Sequence, residues 1–300
     1  MVFINMIPKI VHQIYWNRLF EDDFHPIVKE KRDFMITLNP GYKFILYDMD
    51  EIEKFIHKKF DTNIVKAFDK LNYNVPKSDL ARLLLVYNYG GVYLDMKGLI
   101  NCKLDQLFKP NDTCIIAVER IGWANNFSQW CFISEPGHPL LKYAIDEIVE
   151  NVLKCKYPNN LFETCTWAFG KSTEKFHKDF FNEELTVHKT KNRKNVHFEN
   201  KEISYRICGI EFNDNILYDC EIRDYLYKPK TKHWYYYSTN TRLIREPILV
   251  QYLKCLIYNP KYALSLIQKK VKNQILFITI CLFLAFRLFF AFQIYKYCTL

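Results

Sequence analysis

Two acids, an arginine and a lysine lie close enough in the stretch from Asp79 to Lys97 to act on one ligand. In Lys77-Ser-Asp-Leu-Ala-Arg82, Asp79 and Arg82 stand three positions apart and share one face of a helix. Leu80, Leu83, Leu84 and Val86 are expected on the opposite face. The helix is expected to stop at Gly90-Gly91, where a left-handed backbone costs little. Val92 to Leu94 then reads as a short buried strand that delivers Asp95 to its C-terminal edge, the place where open α/β sheets bind ligands. Carboxylates accept hydrogen bonds from hydroxyls, and a guanidinium forks onto phosphate oxygens. The convergence therefore suits a ligand carrying both. Asp79 and Arg82 alone would read as a surface ion pair worth roughly a few tenths of a kcal/mol. Asp95 beside them makes the set a candidate site.

Three further blocks accompany this one in order: Ile7-Pro-Lys-Ile-Val-His-Gln-Ile-Tyr-Trp16, Asn39-Pro-Gly-Tyr-Lys-Phe-Ile-Leu-Tyr-Asp48 and Glu135-Pro-Gly-His-Pro-Leu-Leu141. Together they resemble the glycosyltransferases with a DXD sugar-binding motif. That group includes initiating α-1,6-mannosyltransferases and capsular polysaccharide glycosyltransferases (glycosyltransferase family 32 type). The resemblance covers residues 7–170 well and 170–240 weakly. It implies a GT-A-like nucleotide-sugar-binding domain of α/β class with a mostly parallel central sheet. It also implies transfer of a hexose from a nucleotide sugar to a glycan or lipid-linked acceptor, with retention of anomeric configuration.

By the same resemblance, Asp79, Arg82 and Asp95 are the catalytic candidates, and they bind the donor together with Trp16, Lys97 and Asn126. Trp16 would stack on the nucleobase, with a core aromatic role the alternative. Asn125 and Asn126 fall in a loop that relatives place near the donor. His233, in Lys232-His-Trp-Tyr-Tyr-Tyr-Ser238, resembles the closing segment and is the candidate metal ligand beside Asp95. Cys165-Thr-Trp-Ala168 stands where relatives usually carry Thr-Gly-Pro. His138 is expected to cap a helix.

The DXD position itself departs from the pattern, reading Asp95-Met96-Lys97. An ammonium has no lone pair and ligates no metal. Two outcomes stay open. Asp95 holds a divalent cation, Mn2+ or Mg2+, with waters and the donor's phosphates; or Lys97 lies against the diphosphate as a point charge. A plain exposed lysine is a third reading. A catalytically weakened sugar-nucleotide-binding scaffold at the membrane is the alternative to an enzyme, and a nucleotide-sugar hydrolase ranks below both.

The elements that must position these residues alternate. Strands are expected at Val11–Trp16, Tyr42–Tyr47, Val92–Leu94 and Cys114–Val118. Helices are expected ending near Leu38 and at 50–60, 63–71 and 138–153, an alternation that argues for a mostly parallel sheet with covered faces. Residues 171–240 yield no secure elements.

The 300 residues, 49% of them hydrophobic, suffice for one large domain. A net charge of +9 with no long basic run argues against a nucleic-acid partner. The ten cysteines contain no Cys-x-x-Cys and read as core thiols. Residues 1–245 are expected to form the glycosyltransferase domain, 246–272 a basic linker with short helices, and 273–297 a transmembrane or membrane-associated helix. Its apolar run, Ile275 to Ile294, has the length of a bilayer span despite Arg287. Lys269, Lys270 and Lys272 favour a single-pass tail with the enzyme on the cytoplasmic side.

Overall fold

The structure, a computed structural model, describes residues 7–15, 25–118, 127–185, 196–200, 203–208, 215–226 and 242–270. It divides into two units, Met1–Leu153 with Asn159–Arg245, and Lys154–Pro158 with Glu246–Leu300.

The first unit is built on a seven-stranded sheet in the order β2-β1-β3-β6-β5-β8-β7. Its strands are β1 (Ile10–Ile14), β2 (Lys43–Tyr47), β3 (Gly91–Leu94), β5 (Cys114–Ala117), β6 (Cys131–Ser134), β7 (Val196–Glu199) and β8 (Ser204–Cys208). β1, β2, β3, β5 and β8 share one direction, while β6 and β7 run against them. The sheet is thus largely parallel in direction, but β6 is wedged antiparallel between β3 and β5. A two-stranded ribbon of β4 (Gly98–Ile100) and β9 (Ile216–Tyr218) follows the turn after β3.

The helices are α1 (Pro26–Leu38), α2 (Met49–Lys59), α3 (Thr62–Lys70), α4 (Asn74–Tyr89), α5 (Pro139–Leu153), α6 (Trp167–Phe181) and α7 (Cys220–Leu226). Local chemistry explains their starts. Pro26 sits in the first turn of α1, where its missing N–H goes unneeded. Asp48 and Glu51 form a capping box on α2, and Asp61 caps α3. His138 Nδ1 accepts from the Leu140 N–H at the start of α5, the expected capping bond, while its Nε2 donates to the Ser204 carbonyl.

α4 packs on β1, β3 and β6 and on α5. Pro76 through Val86 is buried on every side, the Asp79 and Arg82 face included. A buried charge is tolerated only when paired, and these two are paired with each other. α4 ends on Gly90 (φ +66°), and Gly91 (φ +99°) opens β3. A Cβ on Gly91 would lie 2.5 Å from the Ile10 carbonyl oxygen, so glycine is required both by backbone conformation and by space.

The core gathers Val11, Val92, Leu94, Ile115, Ile133 and their neighbours. The cysteines Cys114, Cys131, Cys165 and Cys208 are free thiols buried in the first unit. In the second unit, α8 (Ile248–Tyr258) and α9 (Pro260–Lys270) pack together. No helix among the described residues is long and apolar enough to cross a membrane. The segment 273–297 lies outside the described residues.

Candidate active site

Asp95 follows β3 directly. Its N–H donates to the Trp130 carbonyl at 2.7 Å, and the Gly98 N–H returns to the Asp95 carbonyl at 2.8 Å, closing a four-residue turn. Met96, inside that turn, is 4% exposed and packs with Tyr15, Val28, Ile222 and Leu226. Anchoring the turn through its middle leaves Asp95 and Lys97 facing each other, with Lys97 Nζ 3.3 Å from Asp95 Oδ2.

One turn of α4 supplies the rest. Arg82 Nη2 lies 3.0 Å from Asp79 Oδ1 and 3.5 Å from Asp95 Oδ1, so a single guanidinium spans both carboxylates. Its Nε donates to the Ser78 carbonyl and its Nη1 to the Gln129 carbonyl, and the group stacks 5.0 Å from the centre of the Tyr93 ring. Every direction of the fork is used.

The structure thus brings Asp79, Arg82, Asp95 and Lys97 together at the carboxyl edge of β3. Two negative and two positive charges balance there. Burial pushes both carboxyls up. For Asp95, the Arg82 and Lys97 charges and the Tyr93 hydroxyl, which donates to Oδ1 at 2.8 Å, outweigh burial and hold it below the usual carboxylate range. Asp79 stays above that range because the Arg82 charge, opposed by that of Asp95, does not offset its burial.

Sequence reasoning missed several supporting residues. Tyr93 lies two positions before Asp95 on the same strand face, a period-two signal that was available. Thr166 Oγ1 donates to Asp79 Oδ2 at 3.4 Å; it belongs to the Cys165-Thr-Trp segment noted only as a departure from relatives. Gln129 ties Arg82 to the 165–166 carbonyls. Tyr218 of β9 holds its ring 5.0 Å from Lys97 Nζ and is edge-stacked by Trp130. Nothing local in the sequence marks these last two. Trp16, Asn125, Asn126 and His233 lie outside the described residues.

A divalent cation at Asp95 would sit about 2.1 Å from a carboxylate oxygen. Oδ2 already faces the Lys97 ammonium, while Oδ1 accepts from Tyr93 and faces Arg82. Among the described residues, the one set of three His, Cys, Asp or Glu side chains with ligand atoms within 4.8 Å of one another is Glu53, His57 and Asp69, and Asp95 is not in it. The described residues around Asp95 do not fit a resident divalent cation.

Comparison with known proteins covers the same stretch of chain. The pattern of the family described as "Glycosyltransferase sugar-binding region containing DXD motif" matches residues 27–113. Over 144 residues the chain is 30% identical to inositol phosphoceramide mannosyltransferase 1 of Schizosaccharomyces pombe, covering 47% of this chain and 43% of that protein. It is 29% identical over 141 residues to an uncharacterized glycosyltransferase of Acanthamoeba polyphaga mimivirus, with coverages of 46% and 54%. It is 25% identical over 167 residues to the initiation-specific alpha-1,6-mannosyltransferase of Schizosaccharomyces pombe, with coverages of 49% and 41%. The chain therefore spans about half the length, or less, of these relatives. Among solved structures, a chain titled PaToxG Glycosyltransferase is similar at a TM-score of 0.45 and 17% identity, covering 59% of this chain and 70% of that one. Residues 27–113 thus match the glycosyltransferase sugar-binding region that contains the DXD motif, the family its motifs resemble.

Proposed function

We propose that this protein transfers a hexose from a nucleotide sugar to a glycan or lipid-linked acceptor, with retention of configuration. The observation that carries this reading is the set of buried Asp79 and Arg82 with partly buried Asp95 at the strand edge, two acceptors for sugar hydroxyls held in place by one guanidinium. In the reaction the bond from the anomeric carbon to the donor's diphosphate oxygen breaks, and one to the acceptor's hydroxyl oxygen forms. The acceptor's proton leaves with the diphosphate. Asp79 and Asp95 would orient the hexose, and fixed charges would stabilise the departing phosphate without reorganising. The relatives' names support mannose as the hexose and an inositol phosphoceramide as acceptor. The apolar run Ile275 to Ile294 and the lysines before it support a tail tethered to a membrane with the folded unit on the cytoplasmic side.

The test is nucleotide release by the full chain in detergent from a panel of UDP- and GDP-sugars, with and without acceptor lipid. One donor should turn over, and Asp95→Asn should slow release by about a hundredfold or more. A second reading, a sugar-nucleotide-binding scaffold, draws on the Lys97 ammonium at the DXD position. It predicts binding of one nucleotide with no turnover of any.

A further inference from the structure

We propose that Lys97 replaces the divalent cation of the DXD site, so that nucleotide-donor binding requires no metal. The proposal rests on the glycosyltransferase reading above and concerns the same site.

Charge supports it first. Exchanging the motif's second carboxylate for an ammonium changes the local charge by two units, the charge of the cation that a carboxylate pair would recruit. The four groups present already sum to zero, and an added divalent cation would lie among Lys97, Arg82 and the Tyr93 hydroxyl, all directed at Asp95. Like charges at such separations repel strongly inside a protein.

Geometry supports it next. Arg82 is occupied on every side by Ser78, Gln129, Asp79 and Asp95, which makes it a fixed part of the wall. Lys97 differs. Its ammonium carries three donors, and its position comes from a turn anchored by buried Met96 and from the Tyr218 ring beneath it. The Asp219 N–H donates to the Lys97 carbonyl at 2.8 Å, and Lys31 in turn pairs with Asp219 at 2.6 Å. The stem is therefore fixed at its base, while the side chain as a whole remains 18% exposed. A compact point charge on a flexible stem is suited to a diphosphate.

The test is calorimetric binding of GDP and of UDP to the full chain, each in EDTA and in manganese chloride. The nucleotide that binds should show the same Kd within about twofold in both buffers. Lys97→Met should weaken it about tenfold or more in both, a loss of about 1.4 kcal/mol. Lys97→Arg, which keeps the charge, should retain most of the affinity. Lys97→Asp, which restores the carboxylate pair, should bind only with manganese. Matched unfolding midpoints establish that the variants fold; Lys97→Gln stands in if the Met variant does not. Wild-type binding that drops tenfold in EDTA overturns the proposal while leaving the transferase reading intact, and so does a Lys97→Met variant that binds like wild type. Binding of neither nucleotide in either buffer overturns both.

Discussion

Arg82→Met keeps the aliphatic stem of the side chain and removes the guanidinium that spans the site. Asp79 then retains Thr166 as its described hydrogen-bond donor, at 3.4 Å, inside a shell where it is 5% exposed. Removing one partner of a buried pair leaves an uncompensated charge and costs about 3–5 kcal/mol. For a unit of this size that lowers Tm by about 2–4 °C per kcal/mol, so roughly 6–20 °C in all. The deficit has a pH signature. Burial already raises the Asp79 carboxyl, and losing Arg82 raises it further, so the folded variant takes up a proton that the unfolded chain does not. Stability should recover as pH falls toward that raised value, and the deficit should be largest near neutrality. The double variant Asp79→Asn, Arg82→Met carries no unpaired charge at position 79 and should regain most of the loss. Differential scanning fluorimetry at about pH 5 and about pH 8, on wild type, single and double variants, measures all of this. A single-variant deficit under about 1 kcal/mol, or one equal at both pH values and unrelieved in the double, would refute the account of Arg82 as a charge-neutralising span.

Three further outcomes are expected. Gly91→Ala forces φ +99° on a residue with a Cβ, and that Cβ meets the Ile10 carbonyl oxygen; a loss of about 2–3 kcal/mol in urea unfolding is expected, and an unchanged midpoint would count against it. His12 and His138 are both lowered by burial to about 4, so the unfolded chain binds protons below about pH 6.5 that the folded chain refuses. Stability should therefore fall between about pH 6.5 and pH 4 by up to about 3 kcal/mol per histidine, and His12→Gln should flatten that slope. Thr166→Val removes a donor to Asp79 and should weaken nucleotide-sugar binding by about 1 kcal/mol; an unchanged Kd would separate Thr166 from the site.

Much of the site was legible because its spacing is local. Asp79 and Arg82 are one helical turn apart, the glycine pair forces the reversal, and the apolar strand can end only at Asp95. The sequence did not reveal that both faces of α4 are buried. Helical periodicity reports polarity, and a neutralised ion pair has the same letters as an exposed one. β6 was equally silent: Cys131–Ser134 is buried along its whole length and lacks the alternation that marks a half-exposed strand. Gln129, Thr166 and Tyr218 reach the site through long-range contacts, and no spacing rule joins positions so far apart. The 171–240 region contains most of α6 and all of β7, β8, β9 and α7, short elements whose strand partners lie up to about 120 residues earlier.

The pairing of β4 with β9 bears on how the protein is made. Lys97 precedes Tyr218 by 121 residues (218 − 97). At about 5–20 residues per second, a ribosome takes roughly 6–24 s to cover that distance. For that interval the nascent chain holds the whole motif without the aromatic ring that seats its lysine. Closing so long a loop is among the slow steps of a topology rich in distant contacts. A chain released before residue 216 would carry every residue of the motif and none of the β9 wall.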